Sequence, residues 1–235
     1  MGFFSIFSRH RSLVDSGVLQ GKADRHSHIL FGVDDGVKSL EGSLAALAFM
    51  EQCGITDVWC TPHVMEDVPN ATDFLKQRFG ELVAEYRGNI KMHLAAEYML
   101  DNLFEKRLKE RDLLTMEDDI VLVETSTINP PVNFYEILGD MRRVGYMPLL
   151  AHPERYRYLG EEDYRRLKQM GIKFQMNISS VVGFYGETAR KKALWLLGEG
   201  YYDEIGSDCH RLNTTKKQFE HKVLKRKDLS LLKLQ

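Results

Sequence analysis

Cysteine is scarce, with three residues in 235, at positions 53, 60 and 209, and no Cys-x-x-Cys pair. Numbers this small and positions this scattered exclude a disulfide framework and dithiol redox exchange, and they fit a reducing compartment, the cytoplasm. Neither sign of charge dominates either: 32 Lys and Arg face 34 Asp and Glu, for a formal net charge of −2. Without clustered basic residues there is little to neutralise a nucleic-acid backbone, so no nucleic-acid partner is expected. No apolar run approaches the roughly 18 to 20 residues that span a bilayer. The chain opens Met-Gly-Phe-Phe-Ser-Ile-Phe-Ser and turns basic only at Arg9, His10 and Arg11, the reverse of a secretory signal, so no export segment is expected. The Phe3, Phe4, Phe7 cluster is expected to dock on the protein's own core, with weak docking on a membrane or a partner as the alternative. Low-complexity segments, internal repeats and long Pro/Gly/Ser linkers are missing too. That leaves one large domain over 23–235, preceded by an N-terminal arm or edge addition over 1–22.

What the chain does have is a regular alternation of apolar strand-like runs and helical stretches. Ile29-Leu30-Phe31 is followed by a predicted helix over 39–52, with Leu40, Leu44 and Leu47 on one face and Gly54 at its end. Val58-Trp59-Cys60, 90–96, 120–123, 147–151, 172–176 and 202–205 read as further strands. Helical patterns separate them near 72–86, 134–144, 161–170 and 187–199. Seven β/α units in this order predict a parallel sheet with helices outside it, either an open doubly wound sheet or a closed barrel. The basic run 222–227 reads as a solvated helix face.

Residues able to bind metal fall just after these strands, the edge at which parallel β/α folds build their sites. His26 and His28, two apart, project to the same side of an extended chain. His63 follows the second strand, Glu97 the third, Glu124 the fourth, His152 the fifth, and Asp208 with His210 the last. A single histidine after a strand is more often a hydrogen-bonded structural residue, but five of the eight histidines share this edge. His10, His93 and His221 do not, and read as solvated or structural. Several imidazoles with carboxylates suit Mn, Fe or Zn, and the donors exceed what one tetrahedral ion needs, so a cluster of two or three ions is expected. Bridged ions activate water and hold phosphoester oxygens. Arg155 supplies a planar donor array for phosphate, and Asp34-Asp35-Gly36 adds a further ligand, a general acid or an Asx turn.

Six pieces, Asp24-Arg25-His26-Ser27-His28-Ile29-Leu30, Val33-Asp34-Asp35-Gly36, Thr61-Pro62-His63, Ala96-Glu97-Tyr98, Ala151-His152-Pro153-Glu154-Arg155-Tyr156 and Ser207-Asp208-Cys209-His210, resemble the polymerase and histidinol phosphatase (PHP) superfamily. Within it they are most similar to the bacterial manganese-dependent protein-tyrosine phosphatases of capsule and exopolysaccharide synthesis. The resemblance implies a distorted seven-stranded (β/α)7 barrel with its site at the C-terminal ends of the strands. It implies Mn2+, with Fe or Zn as other choices, and a phosphotyrosine protein as substrate, a bacterial tyrosine kinase with a Tyr-rich tail, attacked by metal-activated hydroxide. Position by position it implies that His26, His28 and Asp208 hold one ion, that Glu97 bridges it to a second held with His152, and that His63 and His210 hold a third. It also implies that Arg155 binds phosphate, that Asp35 is a catalytic-site aspartate and that Glu124 is a further active-site acid.

The chain departs from the family pattern at Arg25, where an apolar residue is expected, and at Phe31, where proline is common. Thr214-Thr215 stand where some members place a second arginine, with Arg211 as the replacement, and Asn177 stands where some branches have a metal-binding histidine. A cysteine-based phosphatase is excluded, because its loop needs an arginine six residues after the cysteine and those positions hold Trp59, Glu66 and Thr215. Two alternatives are a phosphomonoesterase acting on a small molecule such as histidinol phosphate, and a metal-stabilised module that captures tyrosine-rich tails without cleaving them. Phe134, Tyr135, Tyr156, Tyr158, Phe184 and Tyr185 are candidates to shape a phosphotyrosine pocket.

Overall fold

The computed structural model describes residues 10–117 and 119–232. Phe3, Phe4 and Phe7 lie outside the described residues. Among the described residues nine strands, β1 (Ala23–Ser27), β2 (Asp57–Cys60), β3 (His63–Val64), β4 (Lys91–Leu94), β5 (Glu97–Met99), β6 (Ile120–Glu124), β7 (Met147–Ala151), β8 (Lys173–Asn177) and β9 (Glu204–Gly206), pair in parallel throughout. They form a three-stranded sheet, β1-β2-β4, and a six-stranded sheet, β3-β5-β6-β7-β8-β9. Nine helices connect and cover them among the described residues: α1 (Leu13–Ser16), α2 (Leu40–Gln52), α3 (Thr72–Glu85), α4 (Asn102–Glu110), α5 (Phe134–Arg143), α6 (Glu161–Gln169), α7 (Glu187–Gly198), α8 (Leu212–Glu220) and α9 (Arg226–Leu232). The whole is an α/β fold whose parallel sheet curves into a half-barrel, with α1, α4, α8 and α9 added to the helices expected from periodicity.

The two sheets meet at both edges. Ala95 N donates to Cys60 O and Glu97 N to Pro62 O, so the pairing of β2 with β4 continues into that of β3 with β5. On the other side Asp208 N donates to His26 O and His28 N to Cys209 O, which brings the segment after β9 alongside β1. Asp24 reinforces this seam, its buried Oδ1 accepting from Ser207 N at 2.7 Å and His26 N at 3.2 Å. Burial pushes that carboxyl up to about 6.

The first strand differs from expectation. Ile29-Leu30-Phe31 follows the strand as turn and bend, and β1 is the more polar 23–27. Periodicity favoured the apolar run because a buried strand is normally apolar, whereas Asp24 and His26 are buried here, Asp24 Oδ1 accepting across the seam and His26 Nδ1 meeting Gln175 Oε1 of β8. The stretch 10–22 contributes Leu13, Val18 and Leu19 to the core.

Both faces of the sheet are apolar, as a covered parallel sheet requires. Val121, Val123 and Leu150 pack under the helices, while Ile120, Leu122, Leu149 and Ala151 turn to the concave side with Trp59, Ala95 and Met116. Arg25 has a structural reason there: its guanidinium lies over the Trp59 ring at 5.4 Å and pairs with Glu117 at 2.9 Å and Glu204 at 3.2 Å. It closes the concave core at the starts of the strands. In the basic run, Lys222, Lys225, Arg226 and Lys227 are exposed, but the helix begins only at Arg226.

Gly206 is required by close approach, since a Cβ there would lie 2.4 Å from His26 Cβ and 2.9 Å from His26 N. Gly206→Ala is therefore expected to lower unfolding free energy by about 1 to 3 kcal/mol, the usual cost of overpacking. Urea denaturation measures this, and a loss within error of zero would mean that β9 can back away from β1.

Candidate metal centre

The ligand-capable side chains converge from positions set by the strands. His26 lies in β1 and His28 follows it, His63 opens β3, Glu97 opens β5, Glu124 ends β6, His152 follows β7, and Asp208 and His210 follow β9. Four overlapping groups result, each with one donor atom per residue mutually within 4.8 Å: His28, Asp35, His63 and His210; His26, His28 and Asp208; His26, Glu97 and His152; His63, Glu97 and Glu124. Every ligand candidate named from the sequence falls in at least one group. The groupings also place Glu124 with His63 and Glu97, and Asp35 with His63 and His210, so both acids are candidate ligands as well.

At the middle is Glu97, almost fully buried. Its Oε2 lies 3.2 Å from His26 Nε2, 3.3 Å from His28 Nε2 and 3.1 Å from His63 Nδ1, and its Oε1 lies 3.2 Å from His152 Nε2. Despite these approaches Glu97 Oε2 and His63 Nδ1 make no hydrogen bond. His26 Nε2 and His28 Nε2 face each other at 3.1 Å. Lone pairs aimed at a common point rather than at each other's hydrogens suit a cation, so the residues present fit a cluster of divalent ions.

Electrostatics agree. Burial works against ionisation of Glu97, but the imidazoles of His26 and His63 outweigh it and hold the carboxyl well below the usual carboxylate range. Burial also disfavours the charged form of His26 and His63, yet Glu97, with Asp208 or Glu124 beside it, raises them to about 9 and about 10. Two buried carboxylates, Glu97 and Asp208, thus draw positive charge into this space.

Around the cluster a ring of hydrogen bonds fixes which imidazole nitrogen points inward. His28 Nδ1 meets Asp34 Oδ2 at 2.7 Å and His26 Nδ1 meets Gln175 Oε1 at 2.8 Å, leaving both Nε2 atoms for the centre. Asp34 is also an Asx turn, its Oδ1 accepting from Gly36 N, but helix α2 is capped by Ser39. A Cβ on Gly36 would meet His28 O at 2.3 Å, which explains the glycine after the aspartates. His152 and Asp208 adopt left-handed backbone conformations, φ 34° and 54°, unusual for residues other than glycine and frequent where side chains are aimed for function.

Arg155 sits at the edge of this cluster, its Nη1 on Asp208 Oδ2 at 2.9 Å, in an open cavity of about 420 Å³ that also exposes His63, His152, His210 and Asp35. Asn177 turns its amide Nδ2, a donor, toward Asp208 Oδ2 at 2.8 Å, and its Oδ1 accepts from Ser179 N. Its donor nitrogen, not its oxygen, is thus the atom turned to the cluster. Of the six candidate aromatics, Phe184 and Tyr185 line the cavity, with Phe184 49% exposed, while Phe134 and Tyr156 are buried in the core. Arg211, Thr214 and Thr215 line it as well. His93, as expected, is structural, stacked on Trp59 at 4.5 Å.

Sequence reasoning missed Gln175 and the role of Glu154. Glu154 is buried and accepts from Asn177 N, Ser180 Oγ and the Tyr202 hydroxyl, which pins the turn carrying Arg155 to the end of β8. A buried carboxyl inside the His-Pro-Glu-Arg piece was the available signal.

An α/β half-barrel whose concave side ends in clustered His, Asp and Glu able to hold several metal ions beside an arginine defines the class. The chain belongs to the CpsB/CapC family of capsular polysaccharide synthesis, whose model it matches over residues 22–227. It is 32% identical over 207 residues to the tyrosine-protein phosphatase CpsB of Streptococcus pneumoniae, covering 81% of this chain and 84% of that protein. With the tyrosine-protein phosphatase YwqE of Bacillus subtilis (strain 168) it shares 28% identity over 204 residues, 81% of this chain and 78% of the relative. A crystal structure from work on YwqE and CpsB, described as unique metal-dependent tyrosine phosphatases, superposes with a TM-score of 0.73 at 25% identity, over 91% of this chain and 87% of that one.

The thiols take no part in this arrangement. Cys53, Cys60 and Cys209 are buried, and burial, before any neighbouring charge, pushes them up to about 11, about 12 and about 12. At pH 7 to 8 they stay protonated and unreactive. Cys209→Ala is expected to keep most phosphatase activity, and iodoacetamide to leave the folded protein active; loss of activity in either assay with fold and metal content intact would bring a thiol mechanism back.

Proposed function

We propose that the chain is a metal-dependent protein-tyrosine phosphatase of capsule or exopolysaccharide synthesis. The observation that carries this reading is the convergence of buried His, Asp and Glu donors around Glu97 Oε2, next to Arg155, in one open cavity. The tyrosine phosphatase relatives supply the substrate class.

The fold on this reading is a distorted (β/α)7 barrel: β2 with β3 and β4 with β5 each count as one interrupted strand, and the seam between β1 and 207–209 closes the ring. Support comes from the backbone hydrogen bonds at both edges. The site then lies at the C-terminal ends of the strands, and 23–235 is the phosphatase domain with 1–22 as an N-terminal addition. The resident ions are Mn2+, two or three of them, held by His26, His28, His63, Glu97, His152, Asp208 and His210. The substrate is phosphotyrosine on a bacterial tyrosine kinase with a Tyr-rich tail, met in the cytoplasm, a compartment that suits three free thiols. Among the described residues no helix is long and apolar enough to cross a membrane.

Ions bound here would lower the pKa of a water and hold phosphoryl oxygens. The residues do the rest. Arg155 has a guanidinium that can take two phosphoryl oxygens at once, which favours the charge that builds up as the phosphoryl group transfers. Asp35, 3.2 Å from His210 Nε2 and otherwise exposed, is placed to accept the proton that the attacking water gives up and to pass it to the departing phenolate oxygen. Glu124, 3.1 Å from His63 Nδ1 and 3.7 Å from His152 Nε2, holds those two imidazoles toward the same cavity. Exposed Phe184 gives the substrate ring an apolar surface at the rim.

Hydrolysis of a phosphotyrosine peptide, measured against histidinol phosphate with and without added manganese, is the test. Chelation should abolish activity, manganese should restore it, and the peptide should be the better substrate. Unchanged hydrolysis after complete metal removal, or preference for histidinol phosphate, would overturn the reading.

Arg155→Lys keeps the charge and loses the fork. It is expected to lower kcat/KM about ten- to a thousand-fold, the scale of one oriented donor, with metal content near wild type. Loss of the metals in this variant, or hydrolysis at the wild-type rate, would make Arg155 structural and turn attention to Arg211.

A further inference from the structure

The two oxygens of Asp208 face different worlds. Oδ1 points to the imidazoles, 3.7 Å from His26 Nε2, 3.5 Å from His28 Nε2 and 3.2 Å from His210 Nδ1. Oδ2 accepts three hydrogen bonds on the opposite side, from Arg155 Nη1 at 2.9 Å, Asn177 Nδ2 at 2.8 Å and the Tyr185 hydroxyl at 3.1 Å. With three donors on it, Oδ2 is saturated, and the carboxylate has one oxygen left for the cluster.

Tyr185 touches both of the other donors. Its hydroxyl accepts from Asn177 Nδ2 at 3.0 Å, which leaves the hydroxyl hydrogen for Asp208, and its ring lies under the Arg155 guanidinium at 4.3 Å. Asn177 is fixed from behind by Glu154, which accepts from its backbone N–H. The Arg155 backbone is held as well, its N–H donating to His152 O at 2.9 Å, but its guanidinium extends beyond that turn and hydrogen-bonds to Asp208. An arginine carries a long side chain with considerable rotamer freedom, and an aromatic face is the platform that restricts it.

We propose that Tyr185 is a positioning residue with two separable jobs. Its hydroxyl holds Asp208 so that one oxygen, Oδ1, is presented to the metal side, and its ring holds the Arg155 guanidinium flat at the cavity wall where a phosphoryl group arrives. The second job rests on the phosphatase reading given above; the first does not. The sequence offers Tyr185 as a candidate pocket aromatic and no more, because it lies 23 residues before Asp208 and outside every ligand motif.

Two variants separate the jobs. Tyr185→Phe keeps the ring and removes the hydroxyl, and Tyr185→Leu removes both. The full-length protein is loaded with manganese, and metal retention is titrated with a competing chelator. Affinity for inorganic phosphate is then measured calorimetrically at saturating manganese. Tyr185→Phe should hold manganese about 10- to 100-fold less tightly, the usual effect of losing a hydrogen bond to a ligand, with phosphate affinity close to wild type. Tyr185→Leu should show the same loss of manganese and, in addition, bind phosphate about five- to thirty-fold more weakly, the range of a stacked cation on an aromatic ring. Manganese held by Tyr185→Phe as tightly as by wild type would overturn the role of the hydroxyl. Phosphate bound equally well by the Leu and Phe variants would overturn the role of the ring. Should the Leu variant fail to fold, the Phe variant still decides the first job, and arginine placement is then read from Tyr185→Trp, which restores a face without the hydroxyl and should match Tyr185→Phe in phosphate affinity; weaker phosphate binding by the Trp variant would overturn the ring's role. Neither readout uses a phosphotyrosine substrate, so a protein that bound manganese and phosphate as described but left phosphotyrosine intact would refute the proposed function alone.

Discussion

The structure depends on one buried carboxylate. Glu97 has lost nearly all contact with water and is surrounded by the imidazoles of His26, His28, His63 and His152. Removing a charge from water is costly unless opposite charge comes with it. The neighbouring features supply or direct that opposite charge: the imidazoles of His26 and His63, displaced toward their charged form, and donor atoms pointed inward where cations can sit. The fold delivers these groups from separate strands, so that the cost of burying Glu97 is met only when the strands are correctly paired.

Directing the donors takes a further layer of side chains. Asp34 and Gln175 select the inward nitrogen of His28 and His26, and Asn177, Tyr185 and Arg155 occupy the outward oxygen of Asp208. Two glycines serve the same geometry through what they lack, Gly36 against His28 and Gly206 against His26. The arrangement leaves little slack, because both histidines are completely buried and flanked on the backbone side.

Much of this was legible in the chain. The donor residues were visible because imidazoles and carboxylates after successive strands are unusual, and strands such as 147–151 and helices such as 134–143 announced themselves by apolar spacing. The first strand did not, since Asp24, Arg25 and His26 break the apolar rule for reasons that live across the seam and at Trp59 and Glu117. Tertiary partners also decided which aromatics face the cavity: Tyr156 and Tyr185 look alike in sequence, yet one is buried against the core and the other stacks on Arg155. Gln175, Glu154 and Tyr185 act through hydrogen bonds to residues far away in the chain, and no local pattern carries that information.

The seam between β1 and residues 207–209 has a consequence for how the protein is made. His26 and Asp208, which meet in one donor group, come from opposite ends of the chain. A ribosome releases the first long before the second, so a nascent chain lacks the two donor groups that need Asp208 or His210 until synthesis is almost over. Contacts so distant in sequence are formed late and slowly in folding. The full cluster is thereby reserved for a chain that is nearly finished, and a truncated product, however well its early helices form, has at most the donor groups around Glu97 and never the ones that Asp208 and His210 complete.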